Sequence, residues 1–206
     1  MIIDISQSLS PGMAVFPGDA SYGEGWTFRI GAGCPVNVAQ VSFSVHCGTH
    51  ADAPLHYDAQ GQAVGALALD PYLGPCRVID ARGPAPLCTA DDVRPHLDGA
   101  PPRVLLRLAE RTDPRVWPTG FRALASDCVE FLAKRGVRLV GIDTPSVDPE
   151  TSKDLPSHMA AKRAGLRILE NLVLAHVAPG DYELIALPLR FENLEASPVR
   201  AVLRKA

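Results

Sequence analysis

Residues 44–58 read S-V-H-C-G-T-H-A-D-A-P-L-H-Y-D, and the rest of the chain is best read outward from them. Three of the six histidines, His46, His50 and His56, fall in this stretch, with Asp52 among them. All four occupy even positions, so an extended chain would aim them to one side, where convergent metal ligands have to be. The run Val41-Ser42-Phe43-Ser44-Val45 reads as a strand leading into His46, part of a longer candidate strand over Val36–His46. Gly48 then permits a turn that brings His50 and Asp52 round. Pro54 fixes the local φ and blocks regular pairing, so the exit toward His56 reads as a stiff loop.

Two imidazoles and a carboxylate suit a borderline divalent ion, with zinc the first choice and manganese or iron(II) open. A structural zinc site is normally closed by four ligands and favours cysteine, whereas a catalytic site keeps a position for water. The His/Asp composition therefore points to catalysis. Cys47 is offset by one from the even-numbered set and is left out of it. A second segment, S-H-M-A-A-K-R-A-G-L-R-I-L-E-N-L over residues 157–172, offers His158 at a helix start and Glu170 within an apolar run. A carboxylate among Leu166, Ile168, Leu169 and Leu172 is poorly placed unless a cation or a donor compensates it.

The chain of 206 residues, 47% hydrophobic and 21% charged, reads as one packed domain over residues 1–206. A formal net charge of -3 and scattered Lys and Arg give no general attraction to nucleic acid or to an anionic membrane surface. The start, M-I-I-D-I-S-Q-S-L-S-P-G, lacks a signal-peptide pattern and no apolar stretch is long enough to span a bilayer, so a cytoplasmic location is expected. Five cysteines without a C-x-x-C pair read as reduced thiols filling small apolar spaces.

Candidate strands are Ile2–Ser6, Trp26–Ile30, Val36–His46, Cys76–Ala81, Arg103–Leu108, Leu139–Asp143, Leu172–His176, Glu183–Leu189 and Val199–Arg204. Candidate helices are Phe121–Arg135, a short one after Thr89, and one from Pro156 to Gly165. Strands outnumber helices yet the helices are interspersed, which predicts an α/β or α+β fold with a mixed sheet.

H-C-G-T-H-A-D-A-P-L-H at residues 46–56 fits the pattern H-x-G-T-H-x-D-x-P-x-H, and by it the chain resembles the metal-dependent cyclase-like hydrolases, most of all their bacterial kynurenine formamidases (arylformamidases). F-P-G-D at Phe16–Asp19, L-D-P-Y-L-G-P at Leu69–Pro75, G-I-D-T-P-S-V-D at Gly141–Asp148, and the segment around His158 and Glu170 are similar to that subgroup in order and spacing. The resemblance implies a homodimer of single-domain β/β/α subunits, swivelling-domain-like and strand-rich with few helices. It implies two Zn2+ ions per subunit, held by His46, His50, Asp52, His158 and Glu170, with Asp52 and Glu170 bridging. His56 would be the acid/base group. Phe16 would line the substrate pocket where that subgroup carries Trp, keeping an aromatic face without the indole N–H.

The implied reaction is hydrolysis of N-formyl-L-kynurenine to L-kynurenine and formate in tryptophan breakdown, by attack of metal-activated water on the formyl carbon. The alternatives are a cyclic amide hydrolase of the isatin hydrolase type or a polyketide-type cyclase. A non-catalytic metal-binding protein is a third reading. No G-x-S-x-G elbow supports a serine hydrolase.

Overall fold

Along Arg103–Arg107, Val104 and Leu106 pack into one hydrophobic cluster and Leu105 into another, and all three are fully buried. A strand apolar on both sides belongs inside a sheet that is covered on both faces. The computed structural model describes residues 1–111 and 113–205. Its strands in chain order are β1 (Ile2–Asp4), β2 (Gly23–Phe28), β3 (Val38–Ser42), β4 (His50–Asp52), β5 (Leu73–Asp80), β6 (Leu87–Cys88) and β7 (Arg103–Arg107). There follow β8 (Ala123–Leu124), β9 (Leu139–Ile142), β10 (Arg167–Glu170), β11 (Gly180–Ile185), β12 (Ala196–Pro198) and β13 (Val202–Arg204). The helices are α1 (Ala90–Val93), α2 (Ser126–Lys134) and α3 (Pro156–Ala164).

One sheet of nine strands runs in the order β1-β13-β11-β5-β7-β9-β10-β4-β12. Its centre, β5-β7-β9-β10, is parallel, and the pairs outside it are antiparallel, so the sheet is mixed as the sequence predicts. One face carries a core of Leu105, Leu139, Leu169, Leu184 and Leu203. The other buries Val104, Leu106, Val140, Ile142 and Ile168 against the helices, through Cys128, Val129 and Leu132 of α2 and Ala160 and Ala161 of α3. This is a strand-rich α/β fold. Among the described residues no helix is long and apolar enough to cross a membrane.

The expected helix over Phe121–Arg135 is shorter, because Ala123 and Leu124 pair with β6 before α2 starts at Ser126. The expected strand Val36–His46 stops at Ser42, and residues 43–49 form a turn. Gly48 makes that turn possible: its φ is 69°, and a Cβ there would lie 2.5 Å from Leu9 Cδ2. Leu172–His176 is not a strand either. The apolar run that pairs is Arg167–Glu170, and Asn171, at φ 57°, turns the chain away immediately after it. Four of the cysteines are buried, but Cys34 is only half-buried beside the β2–β3 hairpin and fills no core space.

Candidate metal centre and its cavity

Strand register builds the centre. In the antiparallel pair β4–β10, His50 stands opposite Glu170, Ala51 opposite Leu169 and Asp52 opposite Ile168. Ala51 and Leu169 enter the core on one face, so alternation places His50, Asp52 and Glu170 together on the other. That face is the one α3 covers, and α3 delivers His158 from its first turn. His46 arrives from the turn before β4, and His56 ends the short 3-10 turn Pro54–His56 after it. The one-sided strand expected for all four residues is thus confined to His50 and Asp52. Folding of the turns supplies the other two.

Asp52 is at the middle. Its Oδ1 lies 3.2 Å from His46 Nδ1 and 3.3 Å from His50 Nε2, and its Oδ2 lies 3.4 Å from His158 Nε2. Glu170 reaches His50 Nε2 at 3.4 Å and His158 Nε2 at 3.8 Å. All five expected donors therefore converge. Two groups have donor atoms within 4.8 Å of one another, His46/Asp52/His56 and His50/Asp52/Glu170, and they share Asp52. Proximity alone groups His56 with the donors, its ring centroid 4.3 Å from that of His46.

The chain leaves this centre chemically incomplete. His50 Nε2, both carboxylate oxygens of Asp52 and His158 Nε2 are buried without a hydrogen-bond partner. Orphaned polar atoms are costly in a protein interior, and four at one point call for a common partner. Imidazole nitrogens and carboxylate oxygens are the donors a borderline divalent cation takes, so the residues fit such an ion. The rings are also held for it. His50 Nδ1 meets the Gly48 carbonyl at 2.9 Å, and His158 Nδ1 meets Asp148 Oδ2 at 2.7 Å. With Nδ1 donating outward, each Nε2 turns its lone pair toward the centre. Asp148 accepts the backbone N–H groups of Ser157 at 2.9 Å and His158 at 3.0 Å as well, fixing the start of α3. Glu170 accepts the Val147 N–H at 2.7 Å.

The family model described as "Putative cyclase" matches residues 3–149, more than half of the chain. The chain belongs to this cyclase family. A structure described as a predicted metal-dependent hydrolase from Bacillus stearothermophilus is 27% identical, with a TM-score of 0.84 over 98% of this chain and 97% of that one. Another, a potential metal-dependent hydrolase with cyclase activity, is 27% identical, with a TM-score of 0.82 over 98% and 96%. An isatin hydrolase bound to the product analogue thioisatinate shares the fold at 21% identity, with a TM-score of 0.83 over 98% and 91%. The fold is thus that of the cyclase-family metal-dependent hydrolases. His158 and Glu170 lie beyond the matched residues and join the centre through α3 and β10.

In this cyclase-family centre burial and neighbouring charge act against each other on His50, Asp52 and His158. Burial works against charge on His50, but the Asp52 and Glu170 carboxylates outweigh it and hold the imidazole up at about 10. His158 is likewise at about 10, since Asp148 and Asp52 overcome its burial. Burial alone would raise Asp52, yet contacts with His158, His46 and His50 hold it well below the usual carboxylate range. His56 is different: it is exposed at the cavity, and partial desolvation lowers its pKa.

A cavity of about 320 Å³ opens on the centre, and His46, His50, His56, His158 and Glu170 line it together with Phe16 and Trp117. Phe16 thus lines the same cavity as the metal donors. Trp117 meets its ring edge-on, with centroids 5.5 Å apart, and Phe121 continues the contact at 6.3 Å. The indole absent from position 16 is thus present at the same cavity from another segment. Sequence reasoning missed Trp117, Asp148 and Asn171. Asp148 was in view inside G-I-D-T-P-S-V-D, but its role depends on meeting α3, which no local spacing reveals.

Proposed function

We propose that this chain is a metal-dependent hydrolase of aryl formamides that converts N-formyl-L-kynurenine to L-kynurenine and formate. The observation that carries the reading is the set of orphaned, inward-facing donors on His50, Asp52 and His158 beside an unburied histidine, His56, on an aromatic-walled cavity. His46, His50, Asp52, His158 and Glu170 would hold one or two divalent ions, zinc first and manganese next. When bound, such ions acidify a water and neutralise charge developing on a carbonyl oxygen. His56, with its lowered pKa, takes a proton at neutral pH and returns it to the aryl amine nitrogen as the C–N bond breaks. Asp148 keeps the His158 ring in one orientation throughout. Phe16 and Trp117 hold the aryl ring and exclude water from its faces.

The active unit is proposed to be a cytoplasmic homodimer. The β2–β3 hairpin exposes Trp26, Phe28, Ile30, Val36, Val38 and Val41, an apolar surface suited to a second copy. The deciding experiment is an assay with quantified metal comparing N-formylkynurenine, formanilide and isatin. Chelator-sensitive turnover of both formamides supports the reading, and turnover of isatin alone overturns it.

A further inference from the structure

A second cavity, of about 210 Å³, adjoins the one at the metal centre, and Ala14, Trp117, Pro145 and Asn171 line both. Its remaining wall includes Gln7, Arg111 and Asp113. The two cavities differ in charge. Away from the metal donors the first is lined by the carboxylates of Asp19 and Glu150, and among the described residues lining either cavity Arg111 is the only lysine or arginine. Away from the metal donors a ligand carboxylate meets like charge in the first cavity, whereas in the second a guanidinium can bind it through two parallel N–H donors. Asp113, two residues along, offers an anion to an ammonium group on the same ligand. Between the cavities, the Trp117 indole N–H is buried without an acceptor among the described residues. A carbonyl lying along the shared wall would satisfy it.

We infer that Arg111 and Asp113 form a subsite for an α-amino-acid head group, so that the preferred substrate is a zwitterion whose aryl formamide end lies at the metal centre. The inference rests on the aryl formamidase reading and deepens it: a neutral bicyclic amide would leave this subsite unused. Specificity then comes from two places, an aromatic wall for the ring and a charge pair for the tail.

The test uses the metal-loaded protein with N-formyl-L-kynurenine and its decarboxylated analogue, N-formylkynuramine. The wild type is expected to favour the carboxylate-bearing substrate in kcat/KM by about tenfold or more, mainly through KM, as for loss of one charge-assisted contact. Arg111→Gln should erase most of that preference and Arg111→Lys should restore part of it. Equal preference in wild type and Arg111→Gln overturns the subsite. Binding of L-kynurenine, followed calorimetrically, separates this inference from the reading beneath it. If no formamide, formanilide included, is hydrolysed, the formamidase reading fails. Binding weakened about tenfold in Arg111→Gln would still support the subsite, and unchanged binding would sink it.

Discussion

Trp26, Phe28, Val38 and Val41 on the β2–β3 hairpin are 41% to 53% exposed, whereas His50, Asp52 and Glu170 on β4 and β10 are 1% to 4% exposed. Both regions are short antiparallel pairs, the first closed within twenty residues of chain and the second joining β4 to the distant β10. One leaves apolar groups in water, and the other withholds ionisable groups from it. Each inverts the usual rule for its residue types. The hairpin has little tertiary cover, so an apolar partner would stabilise it. The β4–β10 pair is covered except where the cavity reaches His50 and Glu170, so only something small and charged can relieve it. The first fits a protein surface and the second a cation.

That contrast can be broken from either side, and the largest effect is expected at the buried pair. Asp52→Asn removes the charge that all the surrounding imidazoles share. Bound metal and formamide turnover should both fall to background, by about a thousandfold or more; metal content measured by emission spectrometry at wild-type level would remove Asp52 from the centre. His56→Ala should lower kcat by about a hundred- to ten-thousandfold with metal retained, the usual span for a proton-transfer group. Loss of metal in that variant would make His56 a ligand, the role that its closeness to His46 and Asp52 also permits.

Asp148→Asn keeps an acceptor for the α3 backbone but removes the charge behind His158. Metal affinity should fall by about ten- to a hundredfold, with the Co2+-loaded protein showing an altered visible spectrum; unchanged affinity and spectrum would reduce Asp148 to a helix cap. On the hairpin, Trp26→Lys with Val41→Lys should weaken self-association at least about tenfold and leave metal content alone. Sedimentation showing a wild-type monomer at micromolar concentration would end the dimer proposal.

The smallest effect concerns pH. In the metal-free protein His50 and His158 are held at about 10, above the ordinary histidine value of 6.5. Their raised values add stability that is fully present below about pH 6.5 and is lost as pH rises through about 10. Asp52, held well below 3.8, adds stability above that value that is lost on acidification. Metal-free Tm should therefore drop by roughly 5 °C or more between pH 6.5 and 10. The metal-loaded protein, whose ligands have already lost those protons, should drop less. Equal slopes in thermal scans would contradict the coupling of the histidines to the two carboxylates.

Sequence alone determined those features whose cause is local. Short continuous apolar runs predict the buried strands around Val104 and Val140, and the stripe of Cys128, Val129 and Leu132 with Gly136 behind it predicts α2. The spacing of His46, His50, Asp52 and His56 announces divalent-ion chemistry, because ligands of one ion must lie within a few ångströms and closeness in sequence helps to achieve that.

Only the tertiary structure decided what depends on partners distant in the chain. Leu172–Leu174 is as apolar as a strand, yet Asn171 turns the chain and Arg167–Glu170 pairs with β9 and β4 instead, which sets Glu170 beside His50. Ala123 and Leu124 leave the expected helix because β6 provides a parallel partner. Asp148 gains its role only when α3 places His158 against it, and Trp117 when its loop packs on Phe16. A residue's type and spacing can specify which chemistry it is capable of. Whether it meets that chemistry is set by long-range packing, since burial and neighbouring charge, not sequence distance, fix the energy of an ionisable side chain.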